Sequence, residues 1–438
     1  MRTMIRHTLA LCLAMAIALA SPLALAYPLD GYPSTGIKRL EAYRMAAQGA
    51  RRPSFLTEGE MLTSDAIQLN LRKHPGFAIP AADSELSARL KKMLGKDAPH
   101  YGVTVLDFSD PRRPRYAAIN PERPQQPGSV GKIVLLLGWF QALADLYPDD
   151  ARARRSLLYE TEIVADRFIR TDSHDVPFWD FGETQVERRP LAEGDRANLW
   201  TFLDWTASAS SNAAASLMMS QLVLLKHFGR DYPVSQKRAD AFFKDTSKSE
   251  LSRIYLDAMQ SPVKRNGLDL GQLRQGSFFT REGKNRIPGS SSVSTAGELL
   301  RYMVLMEQGK LVDPFSSLEI KKLIYLTDAR IRYAAAPALD DSAVYFKSGS
   351  LYGCKPERGF ECKKFLGNRM NFMNSMVVIE SIDRDPPLRY AVVVLSNVLR
   401  KNSSEVHQEF ASKIHRIMES LHPKGGAAPA PEATSASE

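Results

Sequence analysis

The residues after Lys132 place the strongest limit on the fold, because Ile133 to Phe140 form a run of apolar residues and one glycine without a polar face. In a globular protein such a run forms a helix that is buried on all sides. Ser129 precedes Lys132 by three residues, a spacing that puts two side chains on one helix face. A capping serine beside a solvated lysine is the simpler interpretation, but a buried helix disfavours it. Burial lowers the pKa of a lysine and lets it accept a hydroxyl proton.

The same pattern, a serine followed three residues later by a lysine, occurs again at Ser261 and Lys264. Pro262 follows that serine directly, and residues 265–267 favour a turn. The sequence therefore predicts that no helix presents this second pair on one face, and that the pair at Ser129 carries the chemistry.

A second polar cluster, Ser210-Ser211-Asn212, precedes a strongly helix-forming stretch. The plain interpretation is a helix N-cap. The functional interpretation places Ser210 where it passes a proton between Lys132 and a leaving nitrogen, while Asn212 holds the lysine and a substrate carbonyl. This cluster alone does not decide between the two interpretations.

A third cluster, Lys347-Ser348-Gly349, lies in an alternating stretch that predicts a strand. A strand edge with a lysine, a hydroxyl and a residue without a side chain suits an extended peptide or amide that adds to it as a further strand. We expect Lys347 to bind a substrate carboxylate and Ser348 to hydrogen-bond it.

In this order the three clusters resemble the S-x-x-K, S-x-N and K-[ST]-G motifs of the superfamily of class A β-lactamases and penicillin-binding proteins. The resemblance covers roughly Ser84 to Leu421. It implies an α+β fold of the β-lactamase and DD-peptidase type, with an antiparallel sheet flanked by helices and an all-helical subdomain. It also implies that Ser129 is the acylated nucleophile, that Lys132 and Ser210 transfer protons, and that the backbone N–H groups of Ser129 and Ser350 form the oxyanion hole.

One expected feature of class A β-lactamases is missing, the Glu-x-Glu-Leu-Asn stretch whose glutamate activates the deacylating water. The nearest fragment, residues 248–252, places Glu250 one turn away, and residues 261–289 resemble an insertion. Three functions therefore remain: a β-lactamase-like hydrolase, a D-alanyl carboxypeptidase, transpeptidase or esterase that uses Lys132 as base, and a non-hydrolysing pseudoenzyme that binds β-lactams or peptidoglycan. We favour an enzyme, since every motif position is present.

The N-terminus predicts export. Arg2 and Arg6 precede an apolar stretch, and Ala24-Leu25-Ala26 is typical of a signal peptidase site, so residues 1–26 are predicted to be a signal peptide and the protein periplasmic or secreted. A retained membrane anchor is the alternative.

In an oxidising compartment, the pair Cys354 and Cys362 is expected to form a disulfide.

The net charge and the spacing of the histidines limit which binding partners and cofactors the sequence predicts. Signal cleavage lowers the net charge from +9 to +7, with no long Lys/Arg block, so nucleic acid is not implied. Histidines lack metal-ligand spacing, and no metal or cofactor is expected. Asp172, His174 and Asp175 cluster, but the nearby Pro177 favours an exposed turn. The expected partner is a β-lactam or a peptidoglycan-derived peptide.

The chain divides into a signal peptide (1–26), an N-terminal extension (27–82), the hydrolase domain (83–422) and a tail (423–438) whose composition predicts disorder. The extension is predicted to wrap the main body, and the sequence assigns it no function. Strands are predicted at 101–108, 115–119, 345–351, 375–381 and 390–397, helices between 133 and 326, and a closing helix at 405–421. Strands from both ends around a helical middle indicate one α+β unit.

Overall fold

The computed structural model describes residues 30–47, 57–183, 185–327 and 330–425. The predicted signal peptide and residues 426–438 of the predicted tail lie outside the described residues, so both stay predictions. The strands are β1 (Tyr101–Asp107), β2 (Arg115–Ile119), β3 (Glu162–Val164), β4 (Asp175–Phe178), β5 (Glu187–Pro190), β6 (Arg196–Asn198), β7 (Leu273–Arg274), β8 (Val293–Ser294), β9 (Ser342–Gly353), β10 (Met370–Ser381) and β11 (Arg389–Asn397). The α-helices are α1 (Gly31–Thr35), α2 (Lys38–Ala47), α3 (Ser84–Leu94), α4 (Lys132–Leu146), α5 (Ala151–Glu160), α6 (Leu199–Ala207), α7 (Asn212–Phe228), α8 (Gln236–Asp245), α9 (Lys248–Arg265), α10 (Arg281–Arg286), α11 (Ala296–Glu307), α12 (Pro314–Tyr325) and α13 (Ser403–Leu421).

The main sheet has five antiparallel strands in the order β2-β1-β11-β10-β9. Strand β1 therefore pairs with β11 from the far end of the chain, and β9, which carries the Lys347 motif, lies at one edge. The predicted α+β class, with helices flanking an antiparallel sheet, is confirmed.

Both faces of the sheet are buried, because alternate residues of its strands enter two different hydrophobic clusters. In β11, Val393 and Leu395 join the cluster of the helical region, whereas Val392 and Val394 face a second cluster with α3 and α13. A strand that is buried on both faces has a nearly continuous apolar sequence, and the sequence of β11 has that pattern.

Helix α4 is the buried helix that the apolar run predicts. Its residues from Lys132 to Leu143 are all buried, and the Trp139 indole donates a hydrogen bond to the Met218 carbonyl in α7. Among the described residues, Gly128–Leu146 is long and apolar enough to span a membrane by length and composition, and 78% of its most apolar window is buried inside the protein. Burial within the fold accounts for that hydropathy.

The prediction for Ser261 and Lys264 is wrong, since α9 continues through both residues and ends at Arg265. Pro262 leaves the Ala258 carbonyl without its usual N–H partner four residues on. That carbonyl faces Gly138 of α4, where an added Cβ would lie 3.0 Å from its oxygen. The helical region also contains three two-stranded sheets, β3–β6, β4–β5 and β7–β8, which are too short to show an alternating pattern.

The described part of the N-terminal extension packs against the main body through buried polar contacts. The Arg39 guanidinium makes a bidentate ion pair with Asp204 of α6, at 2.6 and 2.5 Å. Further along, the Gln68 carbonyl accepts a hydrogen bond from the buried Lys321 ammonium at 2.6 Å. Both contacts replace water around buried charges, so the extension covers charged groups that solvent would otherwise reach.

Candidate active site

Ser129 lies in a short 3-10 turn, Gly128–Gly131, that leads directly into α4. Its half-buried hydroxyl is 3.0 Å from the Nζ of Lys132, whose side chain has no exposed surface. The turn thus places the Ser129 hydroxyl within hydrogen-bond distance of a buried lysine, as the sequence predicts.

The other contacts of Lys132 come from the turn between α6 and α7. Its ammonium donates to the Ser210 carbonyl at 2.6 Å and to the Asn212 Oδ1 at 2.9 Å, and it lies 3.5 Å from the Ser210 hydroxyl. Ser210 has a φ of 59°, in the left-handed region, which a serine adopts only where its surroundings hold it. The predicted contact between Asn212 and the lysine is present.

Burial controls the protonation of Lys132. The pKa of Lys132 is lowered to about 7, mainly by desolvation; the carboxylate of Asp172 opposes this shift, and the positive charge of Arg332 adds to it. Close to neutral pH, a large share of Lys132 is therefore the neutral amine that can accept a proton.

Lys347 of β9 reaches the same hydroxyl from the opposite side. Its Nζ lies 2.8 Å from the Ser210 Oγ, so this hydroxyl lies between two buried amines. Burial lowers the pKa of Lys347 far below its usual range, and the charges of Lys132 and Arg332 act in the same direction. Lys347 thus contacts Ser210 in the structure, and its binding of a substrate carboxylate stays a prediction.

Gly349 allows β9 to approach the nucleophile's turn at backbone distance. An added Cβ at this position would lie 2.6 Å from the Ser129 nitrogen and 2.5 Å from the Pro127 carbonyl oxygen. Contacts shorter than 3.0 Å force atoms apart, so only glycine fits. This close approach brings the neighbouring Ser350 N–H to the turn that carries the Ser129 N–H, the two donors predicted for the oxyanion hole.

Arg332 is a site residue that the sequence analysis missed. Its guanidinium donates to the Ser348 hydroxyl at 2.7 Å and to the Ser350 hydroxyl at 3.0 Å, and its Nε has no hydrogen-bond partner among the described residues. Burial lowers its pKa to about 10. The residue has a φ of 55°. No local pattern distinguishes this arginine from the chain's many others, so only the fold brings it to the motif.

The predicted exposed turn is confirmed for His174 and Asp175 but is wrong for Asp172, whose side chain is only 4% exposed. It accepts hydrogen bonds from the Ser211 hydroxyl at 3.1 Å and from the Ala213 N–H at 2.8 Å, at the start of α7, and it contacts His174 at 2.5 Å. Burial alone would raise the pKa of this carboxyl. The pKa is instead held at about 2 by the hydrogen bond and charge of His174, by the Ala213 N–H and by the charge of Lys132. Asp172 therefore anchors the turn that supplies Ser210 and Asn212.

Glu250 is remote from the chemistry. It lies on the first turn of α9 and pairs with Arg253 at 2.6 Å on the surface. The loop 266–280 instead brings two uncharged side chains to the site: the Phe279 ring centroid lies 4.6 Å from the Lys132 Nζ, and the Gln275 amide oxygen abuts Gly131. Among the described residues, no carboxylate hydrogen-bonds to Ser129 or Lys132.

The predicted disulfide between Cys354 and Cys362 is present, and it closes the loop that follows the motif of β9. The residues of the predicted site therefore lie around one cleft between β9, the turn before α4 and the turn before α7. They are Ser129, Lys132, Ser210, Asn212, Lys347, Ser348, Gly349 and Ser350.

Comparison with known proteins finds similarity at the level of structure. PBP-A is 12% identical, with a TM-score of 0.48 over 78% of this chain and 100% of its own. A β-lactamase from Sphaerobacter thermophilus is 15% identical, with a TM-score of 0.47 over 78% of this chain and 98% of its own. The TLA-3 extended-spectrum β-lactamase is 12% identical, with a TM-score of 0.47 over 77% and 98%.

No family model and no curated protein sequence matches the chain. Because identities and TM-scores are this low, we base the functional proposal on the side-chain geometry of the cleft.

Proposed function

We propose that the protein is a β-lactamase-like serine hydrolase that forms a covalent acyl-enzyme on Ser129, with β-lactams or peptidoglycan-like amides as substrates. The observation that carries the proposal is the contact of 3.0 Å between the Ser129 hydroxyl and a fully buried lysine whose pKa is about 7. A buried amine that is partly neutral at physiological pH is a competent general base.

The acylation step follows from these contacts. The Ser129 Oγ bonds to the substrate carbonyl carbon while its proton moves to Lys132. The carbonyl electron pair moves to the oxygen, which the N–H groups of Ser129 and Ser350 stabilise. As the intermediate collapses, the C–N bond breaks and the leaving nitrogen takes a proton from the Ser210 hydroxyl, which Lys132 reprotonates. Lys347 keeps Ser210 in place for this transfer.

Deacylation is expected to be slow. Phe279 lies beside Lys132 and Gln275 lies beside Gly131, and among the described residues no carboxylate hydrogen-bonds to Ser129 or Lys132. Water attack on the ester then depends on Lys132 alone, which favours the peptidase-like alternative and a long-lived adduct with β-lactams.

Intact mass spectrometry after exposure to benzylpenicillin tests the proposal, with Ser129→Ala as control. We expect a persistent penicilloyl adduct on the wild-type protein alone. An adduct that turns over while penicilloate accumulates would assign β-lactamase activity instead. Absence of any adduct, with no turnover, would refute acylation by β-lactams.

We also propose that the protein works after export. The predicted signal peptide and the disulfide between Cys354 and Cys362 support this, since disulfides persist in oxidising compartments. N-terminal sequencing of protein recovered from the periplasm or medium should begin at Tyr27.

The pH dependence of acylation should follow Lys132. Its protonated form cannot accept the Ser129 proton, so the rate should fall as the pH drops below about 7 and level off above it. Asp172→Asn removes the negative charge that raises this pKa, so the midpoint should move to lower pH. Asp175→Asn, which changes an exposed carboxylate on the same segment, should leave the midpoint in place. Acylation rates measured across the pH range check both expectations, and an unchanged Asp172→Asn midpoint would contradict the assignment.

Arg332 is proposed to bind a substrate carboxylate, because its guanidinium lies at the motif of β9 and, among the described residues, hydrogen-bonds only to the Ser348 and Ser350 hydroxyls, so no carboxylate neutralises its charge. A charged hydrogen bond contributes about 1.5–3 kcal/mol. Arg332→Ala should therefore raise KM for a carboxylate-bearing substrate by about 10- to 100-fold. The methyl ester of the same substrate is the matched control and should show little change. An equal loss with both substrates would mean that Arg332 only supports the fold.

A further inference from the structure

Strand β9 continues beyond the catalytic cleft and ends with two bulky exposed side chains. Leu351 is 44% and Tyr352 is 42% exposed, directly after Ser350. One edge of β9 pairs with β10, where Leu351 lies opposite Phe372 and Tyr352 opposite Asn371. On its other edge no strand of the described residues pairs with it. Exposed apolar residues on an open strand edge favour aggregation unless a partner covers them.

The loop that follows this strand end is basic. Between Gly353 and Met370 it carries the cations Lys355, Arg358, Lys363, Lys364 and Arg369, but only the acids Glu357 and Glu361. Both acids are neutralised, Glu357 by Arg400 and Glu361 by Lys363, each at 2.7 Å. The remaining four cations are exposed and form no ion pair within the described residues, and we call them the basic loop (Lys355, Arg358, Lys364 and Arg369).

An aromatic ring joins the basic loop to the cleft. The guanidinium carbon of Arg332 lies 4.8 Å from the centroid of Phe365, and the Lys364 Nζ lies 5.2 Å from it. The charge of Arg332 is therefore linked through Phe365 to Lys364 of the basic loop, and cations clustered in this way attract anions.

We propose that the end of β9 and the basic loop together bind an acidic peptide in extended conformation. This inference rests on the proposed function for the position of the reacting bond and deepens it by naming the substrate class. An open strand edge supplies main-chain hydrogen bonds, Leu351 and Tyr352 supply apolar contacts, and the four cations select carboxylates. A phosphate polymer matches the charge but has neither the peptide hydrogen bonds nor the apolar side chains, so the peptide accounts for more of the surface.

Binding of a fluorescein-labelled peptide in which glutamate and leucine alternate tests this assignment. Ser129→Ala protein is used, so that no turnover is required. The test variant adds Lys355→Glu, Arg358→Glu and Arg369→Glu, leaving Lys364 on Phe365. The matched control adds Lys91→Glu, Lys92→Glu and Lys96→Glu, three exposed lysines at or just after α3 that give the same change in net charge.

We expect the test variant to bind the peptide at least about tenfold more weakly, while the control variant stays within about twofold. Leu351→Ser with Tyr352→Ser should also weaken binding, and a glutamine-leucine peptide should bind poorly. The assignment is overturned if the test and control variants behave alike, or if the glutamine peptide binds as tightly. It is also overturned if polyphosphate displaces the peptide fully while the Leu351 and Tyr352 substitutions do not weaken peptide binding. That result would show that the surface binds polyanions in general.

Benzylpenicillin acylation, measured in parallel on protein that retains Ser129, separates the two proposals. The loop substitutions should leave it unchanged, because among the described residues none of the three substituted side chains hydrogen-bonds to Ser129, Lys132 or Arg332. If wild-type protein is not acylated at all, the proposed function fails while the peptide-binding result still stands or falls by itself.

Discussion

Lys132→Met is expected to lower the rate of Ser129 acylation by about 10²–10⁴-fold, the usual contribution of a general base. Methionine fills much of the same buried space, but it cannot accept the Ser129 proton or donate to Asn212. The rate is measured by intact mass spectrometry or by release of a chromogenic leaving group, with circular dichroism to show that the variant is folded.

The chain contains its own matched control for this experiment. Ser261 and Lys264 have the same spacing as Ser129 and Lys132 and also lie on a helix, but Lys264 is exposed. Lys264→Met should therefore leave acylation unchanged. If Lys132→Met acylates within about tenfold of wild type, below the usual effect of a general base, another group takes the proton and the mechanism is wrong.

Lys321→Met is expected to destabilise the folded protein by about 3–5 kcal/mol, because it leaves buried carboxylates without their counter-charge. Lys321 is fully buried, contacts Glu307 at 2.7 Å and also pairs with Glu380. Burial raises the pKa of the Glu307 carboxyl, although the Lys321 charge opposes that effect. The free energy of unfolding is measured by urea denaturation.

The next residue along α12 provides the comparison. Lys322 is partly exposed and lies 3.6 Å from Glu319, so Lys322→Met should cost less than about 1 kcal/mol. Adding Glu307→Gln to Lys321→Met should recover part of the loss, since it removes one unpaired charge. Equal effects of Lys321→Met and Lys322→Met would show that the buried ion cluster contributes nothing beyond a surface pair.

The sequence predicts those parts of the site that depend on spacing within a helix, turn or strand. Ser129 and Lys132 meet because they are one helical turn apart, and Lys347 and Gly349 share a strand. Asp172 and Arg332 could not be predicted, because only tertiary packing brings them to Ser211 and Ser348. The nearby Pro177 suggested a surface turn, yet Asp172 is buried by the start of α7.

The error at Ser261 has a different origin. Proline is unfavourable inside a helix, but here the Ala258 carbonyl, which loses its usual N–H partner to Pro262, faces Gly138 of a neighbouring helix, so the fold tolerates the proline. Local propensity alone cannot show that accommodation, since it depends on a glycine more than a hundred positions earlier in the chain.

The strand order of the main sheet also determines when that sheet can form. Strand β1 pairs on one side with β2, but its other edge stays open until β11 has left the ribosome, and β11 lies close to the end of the chain. Contacts so distant in sequence form late and slow the folding of a domain. During synthesis the nascent chain therefore lacks a finished sheet, which suits the export that we propose, because a secretion channel threads extended polypeptide.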